Sequence, residues 1–227
     1  MTFQKIKSGI APLDNQFQGL YLNRPTLLSG RRRSGTSTLA LRFLSHVLQI
    51  GEKILLFTEE SPDHVTLEVH GLGTDVSEAI ADEQLSIVPY DRHLPLLPFP
   101  EALDELRGMI SDRHYTFLLF DPVMPWLAAP ADQLESRLNA FFGLLEETAA
   151  TSLLILRQPV SALARRLFDE ISERCAICLA ASQTPGSPQT LEVTKYMGAP
   201  PEKCPSVLQI VAAPSRPPPT SPPRAKA

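Results

Sequence analysis

The sequence predicts an α/β fold in which helices cover both faces of a mainly parallel, twisted sheet, with antiparallel strands added at its C-terminal end. Two observations support this fold class. Short, continuously apolar segments recur along the chain, and helical patterns separate most of them. Strands buried on both faces are continuously apolar, and parallel neighbours need crossover connections. The 227 residues, 43% of them hydrophobic, are enough for one large domain with a buried core.

The predicted elements follow from apolar spacing and from turn signals. The first helix has apolar residues at helical spacing between Leu39 and Leu48, and Gly51 then turns the chain into the next strand. The last three strands lack intervening helices, so we expect them to extend the sheet antiparallel. In chain order, the predictions are strand 26–30, helix 37–49, strands 53–58 and 85–88, helix 100–111, strand 116–121, helix 133–148, and strands 152–156, 176–180, 190–196 and 207–212.

Composition excludes several classes of protein. A net charge of −4 excludes a generally basic nucleic-acid coat, although it leaves room for a local basic loop. Three cysteines cannot form a disulfide framework and indicate a reducing compartment. The N-terminal residues contain no apolar signal core, and no window has 18 uninterrupted apolar residues. We therefore expect a cytoplasmic protein with no membrane partner.

A cysteine pair and a proline-rich end are the remaining compositional features. Cys175 and Cys178 have metal-ligand spacing, but residues three apart on a strand point to opposite faces, so we expect core packing rather than a zinc site. The five histidines form no metal motif. The domain is predicted to span residues 1–213, and residues 214–227 are predicted to be a disordered, solubilising tail.

A glycine-rich segment between the first long strand and its helix has the spacing of a phosphate-binding loop. Gly30 and Gly35 are separated by four residues, and Thr36 and Ser37 follow. Backbone amides of such a loop cradle phosphates, and Ser37 would hold Mg²⁺. However, the usual lysine is replaced by Thr36, whose neutral hydroxyl cannot neutralise the β- and γ-phosphates. On its own, the pattern therefore predicts either weak ATP–Mg²⁺ binding or a glycine spacing that arose by chance.

Further segments, collinear from about Ser8 to Ala212, resemble motifs of KaiC-like proteins in the RecA superfamily. The resemblance implies a RecA-like P-loop domain, ATP and Mg²⁺ as cofactors, and subunits that assemble. It makes Gly30, Ser34, Gly35, Thr36, Ser37 and Thr38 the candidate phosphate contacts. The matching segments are 8–14, 38–44, 51–55 with Glu59-Glu60-Ser61-Pro62, 70–73 with 85–88, 117–121 and 191–198.

The resemblance also assigns carboxylates to the candidate site. Glu59 and Glu60 correspond to the paired glutamates that polarise the attacking water, and two carboxylates at a strand end suit a general base. The alternative is a solvated strand terminus. Asp121 corresponds to the Mg²⁺-orienting carboxylate, because it ends a fully apolar strand. Its alternative role is the N-cap of a helix that begins at Pro122.

Three further positions complete the comparison with the family. Gln158 corresponds to a polar γ-phosphate sensor, or else to an exposed strand end. Lys195 corresponds to a lysine that reaches the neighbouring subunit's nucleotide site, which favours a homo-oligomer or a hetero-assembly with a competent RecA/KaiC-like subunit. Met197 replaces the arginine of the same motif. Because the loop lysine and this arginine are both missing, the resemblance implies impaired ATP hydrolysis.

The function predicted from sequence is a diverged ATPase-family protein that binds ATP and acts through assembly or regulation. One alternative is an adaptor that binds a protein partner without nucleotide. Another is an accessory DNA repair or recombination protein, since the run Arg31-Arg32-Arg33 can bind phosphates. For these arginines the interpretations are, in order, a solvated loop, a nucleotide phosphate contact and a nucleic-acid contact.

Overall fold

Ten strands and eight helices are defined in the computed structural model, which describes residues 4–90, 97–130, 132–159, 162–184, 186–200 and 204–210. The strands are β1 (Lys5–Ile6), β2 (Leu20–Tyr21), β3 (Pro25–Gly30), β4 (Ile54–Thr58), β5 (Leu85–Pro89), β6 (Phe117–Asp121), β7 (Thr151–Arg157), β8 (Ile177–Ser182), β9 (Gln189–Tyr196) and β10 (Ser206–Ile210). The helices are α1 (Ala11–Phe17), α2 (Thr36–Gln49), α3 (Pro62–Gly71), α4 (Ser77–Ala81), α5 (Phe99–Arg113), α6 (Met124–Leu127), α7 (Leu134–Glu147) and α8 (Ala162–Arg174).

The central sheet has eight strands in the order β10-β9-β8-β3-β7-β6-β4-β5. The six strands from β8 to β5 run parallel to one another, and β9 pairs antiparallel with both β8 and β10. This arrangement confirms the predicted fold class. One detail differs from the prediction: β8 runs parallel to β3, so antiparallel pairing begins only at β9. The reason is that α8, which we did not predict, carries the chain from β7 to β8 as a crossover.

Two apolar layers pack on the two faces of this sheet. Because successive strand residues point to opposite faces, Leu27 lies in one layer and Leu28 in the other. One layer contains α2, whose buried face includes Leu39 and Leu44. The other layer contains α5, α7 and stacked aromatic rings. Helices on both faces leave the carboxyl edge of the parallel strands as the place where polar loops converge.

The cysteine pair packs in the core, but our expectation of opposite faces was wrong. Cys175 and Cys178 are both buried in the layer that contains α5 and α7. Cys175 precedes β8, so strand alternation does not apply to it. Burial raises the pKa of both thiols, which makes them poor nucleophiles.

Several sequence predictions concern residues outside this description. The proline-rich tail 214–227 and the last two residues of the predicted strand 207–212 both lie there. Within the described ranges, no helix is both long and apolar enough to cross a bilayer.

Candidate functional site

The carboxyl edge of the sheet brings the candidate residues of four strands together. Gly30 at the end of β3 is the register partner of Arg157 at the end of β7. Thr58 at the end of β4 is the partner of Asp121 at the end of β6. Two backbone hydrogen bonds continue these pairings, from Gln158 N–H to the Gly30 carbonyl at 3.0 Å and from Glu59 N–H to the Asp121 carbonyl at 3.3 Å. The glycine loop, the glutamate pair and Asp121 therefore share one edge.

Both glycines of the loop are required by its shape. A Cβ atom on Gly30 would lie 2.1 Å from Ser34 Oγ, because the buried Ser34 side chain packs under the loop. Gly35 has a φ of +78° and caps the N-terminus of α2. This left-handed conformation is easily adopted only by glycine. The loop thus folds as a tight turn that leads directly into the helix.

The first turn of α2 presents donors at the loop. Its N-cap is Gly35, which has no side chain to accept from the first amides of the helix. The backbone hydrogen bond from Leu39 N–H to the Gly35 carbonyl closes the first turn. The amides of Thr36, Ser37 and Thr38 precede that bond, so they lack partners within the helix. Thr36 is half-buried, whereas Ser37 and Thr38 are exposed. This arrangement suits an anion at the loop.

Asp121 lies beside the start of α2. Burial raises the pKa of its carboxyl above the usual value, and the nearby carboxylates Glu59 and Glu60 raise this pKa further. Hydrogen bonding by Ser37 and the positive charge of Arg157 lower the pKa and so oppose the shift. The next helix, α6, begins at Met124 with Val123 at its N-cap, so Asp121 does not cap it. A carboxylate and a hydroxyl are hard oxygen donors of the kind that Mg²⁺ prefers.

The two adjacent glutamates have different partners. Glu59 Oε2 lies 3.8 Å from Arg157 Nη2, and Glu60 Oε2 lies 2.6 Å from His64 Nδ1 on α3. Both glutamate side chains are more than half exposed. Glu59 is therefore directed along the edge towards the end of β7, whereas Glu60 is turned towards α3.

Lys195 lies away from this group of residues within its own chain. Its Nζ donates to the carbonyls of Ser172 and Glu173, both at 2.9 Å, and so caps the C-terminal end of α8. Met197 is partly exposed and is held by its backbone, since its carbonyl accepts a 2.6 Å hydrogen bond from Tyr21 Oη. In this structure Lys195 thus stabilises the fold of its own subunit.

Gln189, at the start of β9, is a residue of this site that the sequence analysis missed. Its Nε2 donates to the carbonyls of Ser34 and Gly35, at 2.9 and 3.2 Å. It also lines a cleft of about 520 Å³ beside the loop, together with Thr38 and Arg42. The sequence around Gln189 contains no motif that indicates a contact with the loop, because a single glutamine after a proline is not a recognisable pattern. The hydrogen bonds show that Gln189 holds the loop from the side opposite Asp121.

We predict that Gln189→Leu loosens the glycine loop without unfolding the protein. The substitution keeps the side-chain volume but removes both hydrogen bonds, each of which contributes about 0.5–1.5 kcal/mol. Amide hydrogen exchange in residues 31–37 should therefore become roughly tenfold faster. Gln209→Leu is the matched control, because Gln209 is exposed on the neighbouring strand β10. Equal exchange in the two variants would show that Gln189 does not hold the loop.

Comparisons with known proteins agree with this architecture. The family model described as ATPase: KaiC matches residues 6–212. The circadian clock protein KaiC2 of Synechocystis sp. is 38% identical over 85 residues, which are 36% of this chain and only 15% of that protein. A KaiC-like protein from the hyperthermophilic archaeon Pyrococcus horikoshii OT3 has the same fold, with a TM-score of 0.69 and 18% identity over 87% of this chain and 90% of that one. Because the family model covers nearly the whole chain, the protein belongs to the KaiC ATPase family.

Proposed function

We propose that the chain binds a Mg²⁺–nucleotide at the glycine loop, hydrolyses it slowly, and acts through assembly with other subunits of the same fold. The observation that carries the proposal is that the Ser37 hydroxyl, in the first turn of α2, lies near the half-buried carboxylate of Asp121, beside the loop. Phosphate-binding loops use this combination of a hydroxyl at the helix start and a carboxylate at a strand end.

The donors of this chain fit a Mg²⁺ ion that is also bound by phosphate. Among the described residues, no three histidine, cysteine, aspartate or glutamate side chains converge on one point. Ser37 and Asp121 alone supply too few ligands for an ion that prefers six oxygens, so phosphates and water would complete its shell. Bound Mg²⁺ would neutralise phosphate charge, while the amides of α2 would orient the phosphates. The loop still lacks a cation at Thr36, which supports weak binding.

Slow hydrolysis is supported by the partners of the glutamates. A general base must accept a proton from water at hydrogen-bonding distance. Glu60 is engaged by His64, and Glu59 lies within ion-pair distance of Arg157. Each carboxylate would therefore have to act on water through its remaining oxygen while its partner holds Oε2. The missing loop lysine and the methionine at position 197 remove two charges that stabilise phosphoryl transfer.

Assembly is supported by the family to which the chain belongs, and the structure sets a condition for it. To reach a neighbouring nucleotide, Lys195 would have to release the two carbonyls at the end of α8. A head-to-tail contact that provided phosphates in their place would produce a ring or a filament. We therefore expect assembly to depend on nucleotide, which light scattering with and without ATP–Mg²⁺ would measure.

Titration with a fluorescent ATP analogue tests the proposed nucleotide site. We expect the wild type to bind in Mg²⁺ and to bind more weakly in EDTA. Ser37→Ala should remove most of this difference, because it removes the hydroxyl at Asp121, and loss of a group that orients a metal typically costs about 10–100-fold in affinity.

Ser111→Ala is the matched control, since Ser111 is an exposed serine near the C-terminal end of α5. It should bind as the wild type does. Undetectable binding by all three proteins would contradict the proposal and favour an adaptor that does not use nucleotide. Equal Mg²⁺ dependence in wild type and Ser37→Ala would support nucleotide binding but contradict the role of Ser37 in holding the ion.

A further inference from the structure

Six arginines lie at one end of the carboxyl edge of the central sheet. We name this surface the arginine edge, and its members are Arg31, Arg32, Arg33, Arg157, Arg165 and Arg166. The first three follow β3, and Arg157 ends the neighbouring strand β7, opposite Gly30. The last two lie near the start of α8, which follows β7 and packs against β3. The fold thus joins three separate segments of sequence into one basic surface.

Charge is divided along this edge of the sheet. All six arginines are exposed, and the connecting segments 31–35, 158–161 and 183–188 contain no aspartate or glutamate. The carboxylates lie on the other side of β7, where Glu59 and Glu60 follow β4 and Asp121 ends β6. The ion pair of Arg157 with Glu59 marks the boundary. Positive charge is therefore concentrated at this end of the edge on a chain whose net charge is −4, although Asp169 lies one helical turn from Arg165 and Arg166 on α8.

The chemistry of this surface fits phosphate groups better than a protein partner. Stable protein interfaces have an apolar centre with a polar rim. The exposed large hydrophobic residues among those described lie on other segments, for example Leu67 on α3 and Val207 on β10. Guanidinium groups bind phosphate with paired hydrogen bonds and are not strongly hydrated. The arginine edge therefore has the composition of a polyanion-binding surface.

The extent of the surface favours a long polyanion over a single nucleotide. The loop with Arg31, Arg32 and Arg33 leads into α2 on one face of the sheet, whereas Arg165 and Arg166 lie on α8, which packs on the other face. One triphosphate cannot contact all of these groups. We propose that the arginine edge binds the phosphodiester backbone of a nucleic-acid strand, independently of nucleotide binding at the loop.

Fluorescence anisotropy with labelled oligonucleotides of about 20 nucleotides, single-stranded and duplex, tests this inference. We expect binding that weakens with salt, because each phosphate contact contributes about −0.7 to the logarithmic salt slope for single strands. The triple variant Arg31→Gln, Arg32→Gln, Arg33→Asn should flatten the slope by about 2 and weaken binding at least about tenfold at moderate salt. Asparagine is chosen at position 33 because Arg33 has a φ of +65°, which asparagine tolerates.

The double variant Arg165→Gln, Arg166→Gln should weaken binding in the same way, since it removes charge from a second segment of the surface. The matched control is Lys53→Gln, Arg113→Gln, which removes two exposed charges at the amino edge of the sheet and should bind as the wild type does. Preference for single strand or duplex identifies which form of the backbone fits.

Four results would overturn the proposal. They are the absence of salt-dependent binding at low salt, equal losses in the control variant, displacement of the oligonucleotide by ATP–Mg²⁺, and equal competition by poly-glutamate. The last two would assign the arginines to a nucleotide or to an acidic protein.

Discussion

Replacing Thr36 with lysine is expected to tighten ATP–Mg²⁺ binding by about ten- to a hundredfold, because a charge-assisted contact contributes about 1.5–3 kcal/mol. Thr36 is the first residue of α2. Its side chain lies close to Gly30 across the loop, since a Cβ atom added to Gly30 would lie 2.7 Å from Thr36 Cγ2. A lysine at this position can extend across the loop towards bound phosphates. Hydrolysis should rise much less, because Met197 still stands where the family resemblance implies an arginine.

Titration of wild type and Thr36→Lys with a fluorescent ATP analogue in Mg²⁺ measures this gain. Gln49→Lys is the control, since Gln49 is exposed at the far end of the same helix and receives the same charge. If only a general change in net charge mattered, both variants would bind more tightly. If neither variant nor wild type bound nucleotide, the loop would not be a nucleotide site and the adaptor interpretation would gain support.

The sequence was sufficient for the fold class and for placing the glycine loop and Asp121 on the same edge of the sheet. Continuous apolar runs such as 117–121 predict buried parallel strands, and the carboxyl ends of neighbouring parallel strands must share an edge. The positions of Gly30 and Asp121 therefore followed from strand assignment alone. Helix α8 was missed because much of it is charged, with Leu167 and Ile171 as buried contacts one turn apart. Its apolar residues nevertheless recur at helical spacing, so the sequence does contain a signal for this helix.

The partners of individual side chains could not be predicted. Nothing in the order Glu59-Glu60 indicates that one carboxylate contacts Arg157 and the other His64, because the turn after β4 decides which side each faces. In the same way, the contact of Lys195 with the end of α8 joins residues 22 and 23 positions apart. The arginine edge is a stronger example, since the sequence showed one run of three arginines and the sheet register added Arg157.

Replacing Asp121 with asparagine is expected to separate metal binding from stability. The variant keeps an oxygen that can accept the Ser37 hydrogen bond but loses the negative charge. Mg²⁺-dependent nucleotide binding should weaken at least about tenfold, because hard cations require anionic oxygen ligands. Without metal the same variant should be more stable than the wild type at neutral pH, since the wild type then holds an incompletely compensated, desolvated carboxylate.

The pH dependence of unfolding tests the second half of this prediction. Burial raises the pKa of Asp121 in the folded state above its ordinary value of 3.8. The folded protein therefore binds the proton of Asp121 more tightly than the unfolded chain does. As a result, the contribution of Asp121 to the free energy of unfolding falls as the pH rises from below 3.8 through the raised pKa of the folded state. Asparagine does not titrate, so the stability difference between variant and wild type should widen over this window and then stay constant.

Urea denaturation in EDTA at a series of pH values measures that difference, and other carboxylates cancel because both proteins contain them. Asp112→Asn, at an exposed position in α5, should show no comparable change. Adding Mg²⁺ and nucleotide should reverse the order of stability, because ligands that bind only the folded state stabilise it and the wild type binds them more tightly. A variant that is less stable than wild type in EDTA would show that Asp121 serves the fold through its charge. A variant that binds Mg²⁺–nucleotide as well as the wild type does would show that the ion is held elsewhere.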